Sequence, residues 1–241
     1  MPEDFGYAWR TVRLYCPSAP TFLAREWVQT AWKQLLAARR WGFMRGRLAL
    51  TPDADGTTTV PADFASFKIV VDEARQQRLS TWHRLDELVC TDPALTATGP
   101  TTALVATTPS TDPATLGRAR YLWYPSGSTT ALTSIYYRQL PRLTDGQTFA
   151  GVLADGAEVL VAGALAQAAL WPGTGEKPNP YFNATLAAAK AQEFAHGIQL
   201  LSLRDDEQYP DDLWDSWPVA ACGCDAPGGD PRTTDVSTLT Y

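Results

Sequence analysis

Between Phe43 and Leu140 the apolar residues come in short runs broken by turn signals, and on either side they recur at helical spacing. This change of period constrains the fold most, because a stretch patterned for one period does not satisfy the other. Ahead of it, residues 18–41 read as a helix. Leu23, Trp27, Ala31 and Leu35 share a face that Val28, Trp32 and Leu36 widen, with Arg25, Lys33, Arg39 and Arg40 largely outside it. Pro20 suits a first turn and Gly42 a stop. Behind it, Asp155 to Trp171 is rich in Ala and Leu, and Pro172 ends it. Asn179 followed by Pro180 predicts the cap of a further helix reaching Leu201, with Phe182, Leu186, Ala189 and Phe194 as its apolar side. The short linker 173–178 makes these two an antiparallel hairpin.

The central stretch is dominated by Thr, Val, Pro and Gly. Strand candidates are Arg47–Thr51, Thr57–Val60, Phe67–Asp72, Ala103–Thr107, Arg118–Tyr124 and Ala131–Arg138. Asp55-Gly56, Gly99-Pro100 and Ser126-Gly127 supply turns between several of them. Trp82–Val89 reads as a short helix. The expected fold is α+β: a helical bundle with a β-rich insertion lobe and an extended C-terminal arm. Its parts are an N-terminal segment and first bundle helix over 1–42, the lobe over 43–142, a helical hairpin over 143–203 and an acidic, aromatic arm over 204–241. Within the bundle, Trp27, Trp32 and Leu35 are expected to pack on Leu160, Leu165, Phe182 and Leu186.

Charge is segregated along the chain. The net charge is −6, which argues against a protein whose whole surface grips nucleic acid. Residues 204–241 hold Asp205, Asp206, Glu207, Asp211, Asp212, Asp215, Asp225, Asp230 and Asp235 against Arg204 and Arg232, so this segment alone carries −7. In the first 50 residues, Arg10, Arg13, Arg25, Lys33, Arg39, Arg40, Arg45 and Arg47 outnumber Glu3, Asp4 and Glu26. The acidic end also bears Tyr209, Leu213, Trp214, Trp217 and Tyr241. Aromatic anchors on a Pro- and Gly-broken strip mark a docking segment rather than a purely solvating tail. Arg39, Arg40, Arg45 and Arg47 form a basic patch that suits either nucleic acid or an acidic strip, and the chain's own C-terminal end is such a strip.

Reactive constellations are lacking in the sequence. Cys16, Cys90, Cys222 and Cys224 form no C-x-x-C pair, so neither a structural zinc site nor a disulfide framework is expected. Gly173 to Pro178 fails as a phosphate loop, because Pro178 follows Lys177 where Ser or Thr is needed. His83 and His196, the two histidines, lack a neighbouring nucleophile and read as surface or packed residues. The adjacent acids Asp72-Glu73 and Asp86-Glu87 point different ways, as solvated residues do. Asn183-Ala-Thr185 matches a glycosylation sequon by chance. No cofactor, no metal and no enzymatic activity are expected. The N-terminal residues lack the pattern of a signal peptide and no apolar run is long enough for a membrane span, so a soluble chain is expected.

The order of features resembles a family. Ala38 to Phe43 (Ala-Arg-Arg-Trp-Gly-Phe) leads into Leu48 to Thr51, followed by Val60 to Phe64 (Val-Pro-Ala-Asp-Phe). Arg120 to Pro125 and Leu132 to Arg138 come next, the latter running into Gln139-Leu140-Pro141, and an Ala-rich helical hairpin closes the pattern. Over residues 18–203 this is similar to the head-to-tail adaptor proteins of tailed bacteriophages. The resemblance implies a structural virion protein of the neck, assembled in the host cytoplasm. It implies a homo-oligomeric ring of twelve copies beneath the portal. The bundles would lie side by side, the lobe facing tail, nozzle or stopper proteins and the arm binding the portal protein, with Tyr209, Leu213, Trp214, Trp217 and Tyr241 as its contacts. Double-stranded DNA would pass through the central channel without sequence-specific binding, and overall acidity suits a lumen that must not retain phosphates. The alternatives are another structural phage component, such as a tail-tube or capsid-associated protein, and less favourably a hydrolase acting through acids of the lobe.

Overall fold

A computed structural model of the chain describes residues 4–82, 85–127, 130–147, 149, 153–154, 156–210 and 213–220. It contains both helices and sheets, an α+β fold, divided into two compact units. The first unit comprises Met1–Arg45 and Tyr137–Asp211, the second Gly46–Tyr136 and Asp212–Tyr241.

The first unit holds helices α1 (Phe5–Tyr15), α2 (Thr21–Ala38), α4 (Gly156–Ala168) and α5 (Ala184–Gln208). Helix α4 packs against the other three. Apart from Glu158 and Gln167 it is apolar, burying Leu160, Val161, Leu165 and six small residues, and such a helix belongs in a core rather than at a surface. At Gly163 a Cβ would lie 2.9 Å from both the Ala31 Cβ and the Phe194 ring, so only glycine lets α2, α4 and α5 approach this closely. Trp27, Trp32 and Leu35 join Leu160 and Leu165 in the core, as expected. Phe182 does not: it is 55% exposed, because it precedes the first turn of α5. The inner face of α5 is Ala187, Phe194, Leu201 and Asp205. Helix α1, which the sequence reading did not include, is capped by Asp4, whose carboxylate accepts the Tyr7 amide at 2.5 Å.

The start of α5 corrects the expectation at Asn179. The cap is Asn183, whose side chain accepts from the amides of Thr185 and Leu186. Asn179 is buried and engaged elsewhere. Its Nδ2 donates to the carbonyls of Ala168 (2.9 Å) and Trp171 (2.7 Å), and its Oδ1 accepts from the Tyr181 amide and the Cys16 thiol. It therefore satisfies carbonyls left open at the end of α4. Helix α5 also runs past Leu201 to Gln208, so residues 204–208 are helical. Helix α2 ends at Ala38, before Gly42, which instead opens a 3-10 turn, Gly42–Met44.

The second unit carries strands β1 (Arg45–Leu50), β2 (Thr57–Thr59), β3 (Phe64–Asp72), β4 (Gln77–Arg78), β5 (Ser80–Trp82), β6 (Ala103–Ala106), β7 (Arg120–Tyr124) and β8 (Leu132–Arg138), with helix α3 (Leu85–Thr91). They form two four-stranded sheets, ordered β1-β8-β3-β4 and β2-β7-β6-β5. Antiparallel β6–β7 pairs Ala103 with Tyr124, and parallel β5–β6 pairs Ser80 with Ala103. Leu50, Val60, Val70, Leu79, Leu104, Tyr121, Trp123 and Leu132 form its main core. The Asp55-Gly56 turn is locked by Asp55, which accepts the Thr57 hydroxyl at 2.7 Å and the Thr57 amide at 3.1 Å. The Thr57 hydroxyl, with further help from that amide and Arg120, holds the Asp55 carboxyl below the ordinary carboxylate range.

Candidate functional site

The basic patch of the first 50 residues meets the acidic C-terminal end at several points, each inside one unit. In the first unit, Arg39 grips Asp206 through both oxygens, at 2.5 and 3.2 Å, and approaches Asp205 at 4.0 Å. This fork is the geometry in which guanidinium binds carboxylate best. The Arg39 hydrogen bonds hold the Asp206 carboxyl below its usual range, and Asp206 in turn raises the Arg39 guanidinium. Arg39 also lies over the Trp41 ring, 5.5 Å from its centroid.

Asp205 is 1% exposed. Its two oxygens accept the amides of Gly42 (2.6 Å) and Phe43 (3.3 Å), so a buried carboxylate seats the last turn of α5 against the Gly42–Met44 turn. A Cβ at Gly42 would lie 2.4 Å from the Tyr209 Cβ. Tyr209 is the C-cap of α5 and donates its amide to the Asp205 carbonyl. Arg45 donates to the Pro210 carbonyl at 3.2 Å, and Arg40 lies over the Tyr137 ring.

In the second unit, Leu213–Ser216 forms a 3-10 turn and the chain then pairs with the outer edge of β4. The Arg78 amide donates to Pro218 (2.9 Å) and the Ala220 amide to Arg78 (2.7 Å), in parallel register with Arg78 opposite Val219. Three basic residues hold this segment. Lys68 pairs with the Asp215 carboxylate at 3.0 Å, Arg78 donates to the Asp215 carbonyl at 2.7 Å, and Arg47 lies 5.1 Å above the Trp214 ring while also pairing with Glu73. Trp214 and Trp217 are half-buried and touch each other, their centroids 6.3 Å apart.

The predicted docking residues therefore separate. Tyr209 sits at the end of α5, Leu213 opens the 3-10 turn, Trp214 and Trp217 lie on the β-rich unit of their own chain, and Tyr241 lies outside the described residues. Cys222, Cys224 and His83 lie outside them too, and His196 is exposed on α5. Asp205 and Gly42 were missed as a pair. The signal was present for Asp205, which continues the inner stripe of Phe194 and Leu201 at helical spacing.

Between α1, α4 and α5 runs a groove of about 210 Å³ whose titratable groups are Tyr7, Tyr15, Glu158, Lys190 and Glu193. Lys190 is spent on Glu193 at 2.5 Å. Among the described residues no group of three or more His, Cys, Asp or Glu is placed to hold a metal, and no helix is long and apolar enough to cross a membrane.

A family model places the chain among bacteriophage structural adaptors. The family is the SU10 adaptor protein, whose family model matches residues 9–214, and the chain belongs to it. No curated protein matches the chain. Membership implies association with other phage neck proteins and a place in the virion neck.

Proposed function

We propose that the chain is a head-to-tail adaptor that assembles as a ring of twelve copies beneath the portal and joins it to the tail. Genomic DNA passes through the central channel. The observation that carries this reading is the family match over residues 9–214. The helical units lie side by side around the ring and the β-rich units face the tail, nozzle or stopper proteins. The C-terminal arm docks on the portal. Trp214 and Asp215 root the arm on the chain's own β-rich unit, Trp214 through Arg47 and Asp215 through Lys68 and Arg78. The residues beyond 220, with Tyr241, make the portal contact. The acidic net charge keeps DNA sliding rather than bound.

The test is electron microscopy of the neck in the native particle, with the full chain and with residues 221–241 deleted. A twelvefold ring under the portal that disappears on deletion supports the reading. Tubes or rings formed equally well without portal identify a tail-tube type of component instead. Full-strength portal binding by the truncated chain removes the arm's role.

A further inference from the structure

The helical unit is electrically two-sided. Helices α4 and α5 carry Glu158, Glu193, Asp205, Asp206 and Glu207 against Lys190 and Arg204, a net −3. Helix α2, its C-terminal end and the returning segment 137–147 carry Arg25, Lys33, Arg40, Arg138 and Arg142 against Glu26 and Asp145, a net +3, with Arg39 spent on Asp206.

Packing lays the returning segment along α2. The Gln29 side chain donates to the Leu143 carbonyl at 2.6 Å and accepts the Leu143 amide at 3.1 Å, and the Trp32 indole donates to the Pro141 carbonyl at 3.2 Å. Arg142 is thereby set beside Glu26, and Asp145 beside Arg25 at 2.7 Å. Arg138 donates to the Phe43 carbonyl at 3.3 Å, and the Arg40 guanidinium lies 5.5 Å above the Tyr137 ring. Lys33 follows Glu26 by seven positions, so the two share the exposed face of the helix. The cations form one row, from Arg25 in the second turn of α2 to Arg40 just past its end, over about 20 Å.

Both acids of this face are engaged by Arg25 and Arg142, in exposed pairs of the kind that contribute little in water. Lys33 and Arg40 are exposed and have no carboxylate partner among the described residues. A long row of unneutralised cations fits a partner whose anions are closely spaced along a line. Double-stranded DNA carries one charge per about 1.7 Å of its axis. The chain's own end is too dilute, since residues 221–241 hold Asp225, Asp230 and Asp235 together with Arg232.

We propose that this face of α2 is a sequence-independent contact for the phosphate backbone of double-stranded DNA. It rests on the reading above for the source of that DNA, the genome passing through the neck. One narrow basic row in a chain of net charge −6 holds phosphates loosely and releases them as the DNA moves.

The experiment titrates the full chain into a short fluorescent duplex at several salt concentrations and reads binding by anisotropy. The expected result is an affinity that falls with salt, with a log–log slope of about 0.9 per phosphate contact. Lys33→Gln with Arg40→Gln lowers that slope by about 2. Lys177→Gln with Lys190→Gln removes the same charge from α5 and the turn before it, and leaves the slope unchanged. Circular dichroism of both pairs confirms that the helices are retained. Equal losses in the two pairs, or no salt-dependent binding by the parent chain, overturn the proposal. Poly-glutamate binding as tightly as the duplex assigns the row to an acidic protein and overturns it too. Microscopy of the neck keeps the two readings apart: twelvefold rings without duplex binding overturn the DNA contact alone, and duplex binding without rings overturns the ring alone.

Discussion

Asp205 and Gly42 are joined by a 2.6 Å hydrogen bond from a backbone amide to a buried carboxylate, 163 positions apart in sequence. The second carboxylate oxygen takes the Phe43 amide. Asp205→Ala leaves the buried Gly42 amide and the half-buried Phe43 amide without their acceptor and is expected to cost about 2–4 kcal/mol. Asp205→Asn keeps one acceptor and costs less. Urea unfolding of the two variants gives the order. Equal stability of both variants and the parent would mean that this contact does not hold the end of α5.

Gly42→Ala is expected to destabilise by about 1–3 kcal/mol, because the new Cβ overlaps the Tyr209 Cβ. Since the offending atom is Cβ itself, Tyr209→Ala brings no relief in the double variant, whereas Tyr209→Gly does. Thermal melts of the two double variants separate these outcomes.

The Asp206 carboxyl is held below its ordinary range by Arg39. Such a group adds stability above the unfolded carboxylate pKa, about 3.9, and that stability is lost as pH falls through the lower folded value. Asp206 is largely exposed, with 62% of its side chain accessible, so the contribution stays below about 1 kcal/mol. Asp206→Asn should lower stability slightly at neutral pH and converge with the parent in strong acid. A difference that grows on acidification contradicts the sign.

Trp32 and Phe182 were expected to be packing partners, and they are opposites. Trp32→Ala should cost about 3–5 kcal/mol, Trp32 being 3% exposed in the helical core. Phe182→Ala should change stability by no more than about 0.5 kcal/mol. Denaturant midpoints measured side by side decide this, and a Phe182 loss as large as that of Trp32 would place it in the core after all.

That contrast shows where a sequence is legible. The stripe of α2 repeats within eighteen residues and is visible without knowing its partners. The strands β1, β2, β3, β6, β7 and β8 fall where turn residues bracket short apolar runs. Strands β4 and β5, two and three residues long, are too short to show a period. Helix α1 carries Phe5, Ala8 and Val12 at helical spacing behind Asp4, a readable signal left unread. The cap of α5 was ambiguous, because Asn179 and Asn183 both have the right side chain. What decides between them is Asn179's hold on the carbonyls of Ala168 and Trp171 and on Cys16, contacts set by packing rather than by neighbours in sequence.

At the candidate site the limits are of the same kind. The acidic and indole character of residues 204–217 marked a strip made to be bound, and the basic residues near the N-terminus marked something made to bind it. Which residue meets which depended on the sheet: Lys68 and Arg78 reach Asp215 only because β3 and β4 are antiparallel neighbours. Neither lysine nor arginine was distinguishable from an ordinary solvated cation by spacing alone.

Strands β1 and β8, the first and last of the β-rich unit, are hydrogen-bonded neighbours. The chain therefore enters and leaves the β-rich unit on neighbouring strands. For a helical unit whose α1 and α2 precede the excursion and whose α4 and α5 follow it, the loop-closure entropy is that of a short connection once the strands have folded, although the closed loop is long. Shortening or exchanging the intervening strands should leave the helical unit almost as easy to close, so long as β1 and β8 stay zipped.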